Sequence, residues 1–417
     1  MTEQIFEKIF ITALLSTFLV KLWLGLRHIR HIRAMKNTVP EDFRDRVSIE
    51  EHMKAADYTS SNALVSLASD FIETLLVLWF TLGGGLAMMG KFWAGWTANP
   101  MLQGMGLIAS AMLILETMEL PIALYKTFVI ETRYGFNKMT PGIFILDILK
   151  KIFLAALLGL PLISGILWLM AEMGENWWWE AWLAWMVFNL VILAVYPTWI
   201  APLFNKFKPL DESTMKRKIE RLLEKCGFKA SGLFVMDGSS RSSHANAYFT
   251  GFGKTKRIVF FDTLLNNLDE PEVEAVLAHE LGHFSHHHIV KRIVLTFALS
   301  LVFLWALGHI RTEAWFFDGL NAGSHSDAMA LLLFFLVAPS FTFLVKPLLS
   351  FYSRRNEFEA DAYAAKQAGA EDLVRALTKL YRESAKTLTP DPLYSVFYDS
   401  HPPASIRIAH LRKAMHN

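Results

Sequence analysis

The chain has 417 residues, of which 53% are hydrophobic and only 19% charged, and its mean hydropathy is +0.30. A soluble domain contains roughly 25% charged residues, so this composition excludes an ordinary soluble protein. The net charge of +2, without a basic patch interleaved with aromatic residues, argues against a nucleic-acid partner. The single cysteine, Cys226, excludes an intrachain disulfide and a thiolate metal cluster, so a zinc site would need histidine and carboxylate ligands.

Seven apolar blocks are long enough to cross a bilayer as helices. They lie near residues 5–26, 62–89, 101–125, 143–171, 178–203, 290–309 and 328–346. The first block is followed by Arg27, Arg30 and Arg33 and has no small-residue cleavage site. We therefore expect it to be retained as a membrane helix rather than removed as a signal peptide.

Basic residues are distributed unevenly between the apolar blocks. Seven lie between the first and second blocks and three between the third and fourth, whereas each loop on the other side contains one or none. Lys and Arg favour cytoplasmic loops, which predicts an N-terminus on the opposite side and a C-terminus in the cytoplasm. Segments 204–289 and 347–417 would then share the cytoplasmic face and could form one domain.

Segment 204–289 contains helix-like and strand-like patterns. Apolar residues from Glu212 to Cys226 have helical spacing. Strand-like runs follow at Gly232–Met236, Ala245–Thr250 and Arg257–Phe261. Gly251, Gly253 and Lys254 join the last two runs as in a hairpin, so we predict a small antiparallel sheet.

A second helix is predicted from Glu272 to His288, with Pro271 near its start. It contains His279-Glu280-Leu281-Gly282-His283. Histidines four residues apart lie on one helical face and can bind the same ion. Glu280 can hold a water on that ion and take its proton. Zn²⁺ suits this chemistry because it lowers the pKa of bound water to about 7 and polarises a carbonyl group. Chance produces this pattern in roughly a few per cent of chains this long, so we predict one Zn²⁺ per chain.

A catalytic zinc site needs a third protein ligand and keeps one position open. The pattern with a third histidine at position 289 is excluded because that residue is Ile289. We predict Glu357 as the third ligand. Asp361, four residues further on the same helical face, would accept the outer N–H of a zinc-binding histidine. Glu359 is predicted to point away from this face, and the alternative for the whole segment is a solvated acidic helix.

Two other groups of polar residues have more than one explanation. We assign His286, His287 and His288 to the polar end of the zinc helix at the membrane surface rather than to metal binding. Glu116 and Glu119 interrupt the third apolar block, and carboxylates within a membrane usually face protein or water. They predict a hydrated cavity, and a position near the helix end is the alternative.

With these features the sequence resembles the CAAX prenyl protease 1 family, integral-membrane zinc endopeptidases of the a-factor-converting type, over nearly its whole length. The resemblance depends on the zinc motif together with Thr132–Asn137, Pro202–Phe207, Ser243–Tyr248, Glu357–Asp361, and His401-Pro402-Pro403 with Arg407.

The resemblance implies an α-helical polytopic membrane protein whose seven transmembrane helices enclose a chamber, with a cytoplasmic zincin-like α+β catalytic domain. On this basis residues 1–203 form membrane helices one to five and 204–289 the catalytic region with its small sheet and zinc helix. Residues 290–346 form helices six and seven, and 347–417 form C-terminal catalytic helices that complete the zinc site.

The resemblance also implies roles for residues outside the metal ligands. Asn246, Ala247 and Tyr248 would form the edge strand along which an extended substrate binds. His401 and Arg407 would line the zinc site and stabilise the tetrahedral oxyanion.

We therefore predict a membrane-embedded zinc metalloendopeptidase that hydrolyses extended, membrane-associated polypeptides, with or without a CAAX-type prenyl group. Membrane lipid is an expected partner, and the sequence indicates no oligomeric state. The last five residues contain no endoplasmic-reticulum retrieval signal, which favours a bacterial homologue in an inner membrane. The alternative is a multi-span transport or scaffold protein with a structural zinc, which would need four ligands and no Glu280. A lipid-modifying enzyme would need a phosphate-binding or nucleophile motif, and we find none.

Overall fold

The computed structural model describes residues 1–250 and 256–415. Within these residues, seven helices are long and apolar enough to cross a membrane, which confirms the predicted number. They are α1 (Glu3–Met35), α2 (Ile49–Phe80), α4 (Pro100–Glu131), α5 (Pro141–Glu172), α6 (Gly174–Phe204), α10 (His288–Ile310) and α12 (Asp327–Ala368). Much of their apolar surface is not covered by protein: only 6% of the most apolar part of α5 is buried. Such a surface requires lipid around it.

The second apolar block, predicted near residues 62–89, does not form one helix. The helix α2 ends at Phe80, and a separate helix, α3 (Gly85–Trp96), follows. Gly84 between them has a φ of +71°, a left-handed conformation that glycine adopts without steric cost. Hydropathy did not reveal this turn because its residues are themselves uncharged.

The membrane helices share a hydrophobic core near the end of the bundle that contains the N-terminus. Phe10 of α1, Phe80 of α2 and Trp177 of α6 are fully buried in it, together with Phe316 and Phe317 of the short α11 (Ala314–Asp318). This core fixes the helices to one another at one end of the bundle.

Charged and polar side chains meet between the helices further along. Lys21 of α1 lies 2.7 Å from Asp70 of α2, and Ser69 of α2 donates a hydrogen bond of 2.9 Å to Glu119 of α4. Carboxylates at membrane depth normally face protein or water, and Glu119 has a protein partner. The interior of the bundle is therefore polar beyond the core.

A four-stranded sheet belongs to a second domain. Its order is β1 (Phe207–Pro209), β2 (Gly232–Met236), β4 (Arg257–Phe261) and β3 (Ala247–Thr250). The predicted antiparallel sheet was wrong in part: β2 and β4 are parallel, and the other pairs are antiparallel. The reason is that β4 inserts between β2 and β3. The residues predicted to turn the hairpin, Gly251, Gly253 and Lys254, lie outside the described residues.

Helices from two separate parts of the chain share a hydrophobic core with this sheet. They are α7 (Thr214–Lys225), α8 (Asp262–Asn267), α9 (Glu270–Ser285), α13 (Ala370–Glu383) and α15 (Ala404–Met415). The short α14 (Pro392–Tyr398) packs instead against α1 and α12. Ile219 of α7, Phe260 of β4, Leu277 of α9, Leu377 of α13 and Ile408 of α15 share one hydrophobic core. The segments before α10 and after α12 thus form a single domain.

The helix α9 is fixed at both ends by local sequence. Asp269 and Glu272 form a reciprocal capping box at its start. The helix ends at Ser285 and not at the predicted His288, because His287 adopts a left-handed conformation with a φ of 60°. The helix therefore abuts the sixth membrane span at an angle instead of continuing into it.

Candidate metal centre and active site

His279 and His283 lie one turn apart on α9 with their Nε2 atoms 3.3 Å from each other. Glu357 of α12 approaches both rings. Its Oε1 atom lies 3.3 Å from His283 Nε2, and its Oε2 atom lies 3.4 Å from His279 Nε2. The structure thus brings together three side chains of the types that bind transition metals.

The geometry of these three side chains fits a metal ion. Ligand atoms at about 2.0–2.1 Å from a tetrahedral Zn²⁺ are about 3.3–3.4 Å apart. This matches the distance between the two Nε2 atoms and the distance from each of them to one Glu357 oxygen. Glu357 is only 4% exposed, and its Oε2 atom accepts no hydrogen bond from the described residues. A buried acceptor without a partner is rare and costly, and a cation bound here would satisfy it.

Gly282 allows α9 and α12, the two helices that carry the candidate ligands, to pack closely. A Cβ atom at this position would lie 2.8 Å from Ala360 Cα and 3.0 Å from the Ala360 carbonyl oxygen. Ala360 is in α12, between Glu357 and Asp361. The close contact at Gly282 therefore places both carboxylates against the histidines of α9.

A buried ion cluster lies behind His279. Asp361 Oδ1 lies 2.9 Å from His279 Nδ1, and Arg407 of α15 donates to Asp361 Oδ2 from Nε at 2.8 Å and to Oδ1 from Nη2 at 2.6 Å. Asp361 is 0% exposed and Arg407 5%. Burial lowers the pKa of His279, but the neighbouring Asp361 and Glu357 carboxylates outweigh it and raise the pKa to about 9. A metal binding at Nε2 must therefore displace a proton.

Arg407 has little freedom to act on a substrate. Its Nε and Nη2 atoms are both engaged by Asp361, and its Nη1 atom lies 3.7 Å from Glu357 Oε2. A bidentate pair of this kind fixes the orientation of the carboxylate. The geometry thus connects Arg407 to the metal site through Asp361.

Glu280 and His401 are the more accessible groups of the site. Glu280 is partly exposed, and neither of its oxygens accepts a hydrogen bond from the described residues. Burial raises the pKa of its carboxyl group, and the neighbouring His279 and His283 oppose that rise. His401, before α15, is 59% exposed and places Nε2 3.3 Å from Glu357 Oε1. Ser400 Oγ lies 2.9 Å from His401 Nδ1.

In the described part of the chain, β3 is an edge strand, and it contacts the helix α9 that carries His279 and His283. The Phe261 N–H donates to the Asn246 carbonyl at 2.9 Å, so Asn246 faces β4. By alternation, the N–H and carbonyl of Ala247 point to the open edge. There the Ala247 N–H donates a hydrogen bond of 2.9 Å to Asn246 Oδ1, and Tyr248 pairs with Val259 of β4.

Two polar clusters that sequence reasoning missed hold the approach to β3 against the membrane helices. In the first, Arg241 donates from Nε and Nη2 to the two Asp147 oxygens at 2.9 and 3.0 Å. Its Nη1 atom donates to Asn205 Oδ1 at 3.1 Å. Asp147 is buried within α5. A carboxylate inside an apolar block needs a partner, and that signal could have found this contact.

The second cluster connects α2, the end of α4 and His244. Tyr58 donates to Glu131 Oε1 at 2.6 Å, and His244 Nε2 lies 3.5 Å from Glu131 Oε2. The Phe136 ring stacks on His244 with centroids 4.7 Å apart, and the Ser243 N–H donates to the Phe136 carbonyl at 3.2 Å. The Thr132–Asn137 motif therefore lies alongside the residues that lead into β3.

A metal site next to a free carboxylate, in a domain joined to seven membrane helices, is typical of a multi-pass membrane metallopeptidase. Residues 28–206 match the family model "CAAX prenyl protease N-terminal, five membrane helices", and residues 209–415 match "Peptidase family M48". The chain belongs to the CAAX prenyl protease 1 family. This confirms the resemblance inferred from the motifs and the predicted class of enzyme.

Individual relatives are similar over almost their whole length. A CAAX prenyl protease 1 homolog of Arabidopsis thaliana is 34% identical over 91% of this chain and 92% of the relative. The homolog of Homo sapiens is 33% identical over 97% of this chain and 96% of its own. The crystal structure of S. mikatae Ste24p superposes with a TM-score of 0.88 at 30% identity and covers 97% of this chain and 98% of that one. These relatives are eukaryotic, so the bacterial origin gains no support and stays a prediction.

Proposed function

We propose that this membrane metallopeptidase uses Zn²⁺ to cleave extended polypeptides that carry a C-terminal, CAAX-type prenyl group. The main support is Glu357, whose buried Oε2 atom has no hydrogen-bond partner among the described residues. Its Oε2 atom lies 3.4 Å from His279 Nε2 and its Oε1 atom 3.3 Å from His283 Nε2, which is ligand spacing. The names of the relatives suggest the prenylated substrate.

Glu280 is the proposed general base. A Zn²⁺ held by His279, His283 and Glu357 would polarise the scissile carbonyl and acidify a bound water. The Glu280 carboxylate takes a proton from the attacking water and then delivers it to the amine nitrogen as the C–N bond breaks. The raised pKa of Glu280 suits both steps because it brings the carboxyl group closer to neutral pH.

His401 is the proposed donor to the oxyanion. Ser400 can donate to its Nδ1 atom, which leaves the proton on Nε2, the atom that faces the site. An N–H placed there stabilises the negative charge that develops on the carbonyl oxygen. Arg407 acts indirectly, because it holds Asp361 and through it His279.

The open edge of β3 is the proposed substrate track. An extended peptide can pair with the Ala247 N–H and carbonyl once Asn246 Oδ1 gives up its bond to that N–H. The Arg241–Asp147 pair and the Tyr58–Glu131 contact keep this edge in position relative to the membrane helices. Specificity for sequence would then come from side-chain pockets rather than from the strand pairing.

The proposed route to the site begins in the membrane. The loop charges favour a cytoplasmic catalytic domain, and the polar contacts Lys21–Asp70 and Ser69–Glu119 support a hydrated chamber between the helices. A prenyl chain could enter there while the peptide reaches the metal. We propose the domain boundaries at residues 203/204, 289/290 and 346/347 because they separate the membrane helices from the two catalytic segments.

The first test compares wild type with Glu280→Gln in detergent, using a quenched fluorescent peptide with and without a farnesyl group and assaying zinc in parallel. We expect the variant to lose cleavage and to retain zinc, because glutamine keeps the shape but cannot accept the proton. Glu274→Gln on the same helix is the matched control. Full activity in Glu280→Gln would refute the role of the base. A zinc-loaded but inert wild type would favour the structural-zinc alternative, and equal cleavage of both peptides would refute the prenyl requirement.

A further inference from the structure

The three histidines that follow the metal motif have different environments. His286 and His287 are exposed, whereas His288 is buried with 4% exposure. Its Nδ1 atom lies 3.0 Å from His283 Nδ1, and its Nε2 atom lies 3.1 Å from Glu359 Oε2. The outer nitrogen of the second metal-binding histidine thus faces another imidazole inside the protein.

The backbone turn at His287 makes this contact. In a continuous α-helix, side chains five residues apart point roughly 140° away from each other, so His288 would face away from His283. The left-handed conformation of His287 ends α9 and starts α10 in a new direction. His288 is therefore folded back onto the metal-binding helix.

Glu359 lies on a different face of α12 from Glu357, in agreement with the prediction. The folded-back His288 nevertheless reaches it. Arg355, one turn earlier, lies 3.4 Å from Glu359 Oε1. The helix α12 thus carries the proposed ligand Glu357 and two further carboxylates. Asp361 lies behind His279, and Glu359 lies behind His283 with His288 between them.

We propose that His288 and Glu359 are positioning residues that hold His283 in the tautomer and orientation needed to bind the metal. A metal at His283 Nε2 requires the proton on Nδ1, which then donates to His288 Nδ1. His288 in turn carries its proton on Nε2 and donates to Glu359. The carboxylate accepts only, so it fixes the direction of both hydrogen bonds.

Zn²⁺ affinity tests this inference, which rests on the proposed metal site but not on the proposed substrate. The affinity of detergent-purified full-length protein is measured by competition with a chromophoric chelator. His288→Phe fills the space but removes the acceptor, and we expect binding about 10- to 100-fold weaker, the usual effect of losing such a partner. His288→Asn keeps an acceptor near the Nδ1 position and should retain most of the affinity. His286→Asn alters a ring that stacks on His288 without hydrogen bonding to it, and should bind like wild type.

Glu359→Gln provides a second variant that does not depend on the folding of His288→Phe. It keeps an acceptor but loses the charge, so we expect a smaller loss of affinity, about a few-fold. Melting temperatures after metal removal should be equal for wild type and variants, whereas a merely structural role would lower them. Wild-type affinity in both His288→Phe and Glu359→Gln would overturn the proposal, as would equal losses in His288→Asn and His288→Phe. A wild type that binds Zn²⁺ tightly but cleaves no peptide would refute only the proposed function.

Discussion

Replacing Gly282 by alanine should weaken metal binding without changing a ligand. The new Cβ atom would lie 2.8 Å from Ala360 Cα, whereas carbon atoms in ordinary contact are about 3.5–4.0 Å apart. The neighbouring atoms belong to a backbone that cannot rotate away, so α12 must retreat by about 1 Å. Overpacking of this kind costs about 1–3 kcal/mol of stability.

The displacement would be transmitted directly to Glu357, which precedes Ala360 by one helical turn. Metal sites tolerate deviations of about 0.2 Å in ligand distance, so we expect Zn²⁺ affinity to fall by at least about tenfold. A shift of about 1 Å in an active site can lower the rate about 100-fold, and we expect kcat/KM to fall by that order.

The assay measures Zn²⁺ affinity by chelator competition and cleavage at saturating Zn²⁺. Gly159→Ala is the matched control, because a Cβ at Gly159 would have no atom within 4 Å, and it should behave as wild type. If Gly282→Ala bound Zn²⁺ and cleaved peptide as well as Gly159→Ala does, the close helix contact would not be what positions Glu357.

Three further predictions concern the edge strand β3, the Arg241–Asp147 pair and the metal. Ala247→Pro removes an N–H that faces the open edge, where proline is tolerated; Zn²⁺ affinity should persist while kcat/KM falls about tenfold, the effect of one lost hydrogen bond. The same substitution at Tyr248, which faces β4, should instead lower the melting temperature. Arg241→Met should destabilise the protein by about 3 kcal/mol in thermal unfolding, because it leaves the buried Asp147 carboxylate unpaired, and Asp147→Asn in the same chain should recover part of that loss; an unchanged melting temperature would contradict this role of the pair. Chelation should abolish cleavage and lower the melting temperature, with recovery on adding Zn²⁺; activity that survives complete metal removal would contradict the metal-dependent mechanism.

The membrane architecture could be predicted from sequence because a bilayer span needs a long apolar run, which composition alone reveals. The turns, the short strand and the strand pairing could not be predicted in this way. The turn at Gly84 lies between two apolar segments, and β1 is only three residues long, too short for an alternating pattern. The parallel pairing of β2 with β4 depends on which strand inserts between the others, and this is a tertiary property.

The three side chains that could hold a metal were predicted to lie together for a similar reason. His279 and His283 are separated by one helical turn, and the need for a third ligand pointed to Glu357. His288 was missed because helical periodicity places it on the opposite face, and only the left-handed His287 reverses that. Asp147 inside an apolar block could have indicated that a partner such as Arg241 was needed, whereas the partner of His244 is distant in sequence and no local pattern could reveal it.

The proposed metal ligands lie on either side of the last two membrane spans: His279 and His283 precede α10, and Glu357 follows the apolar part of α12. They can meet only after both spans have been threaded through the bilayer and have returned the chain to its starting side. A nascent chain, or one inserted with the wrong topology, has two histidines and no third donor. The proposed metal site can therefore assemble only when both of these spans are in place.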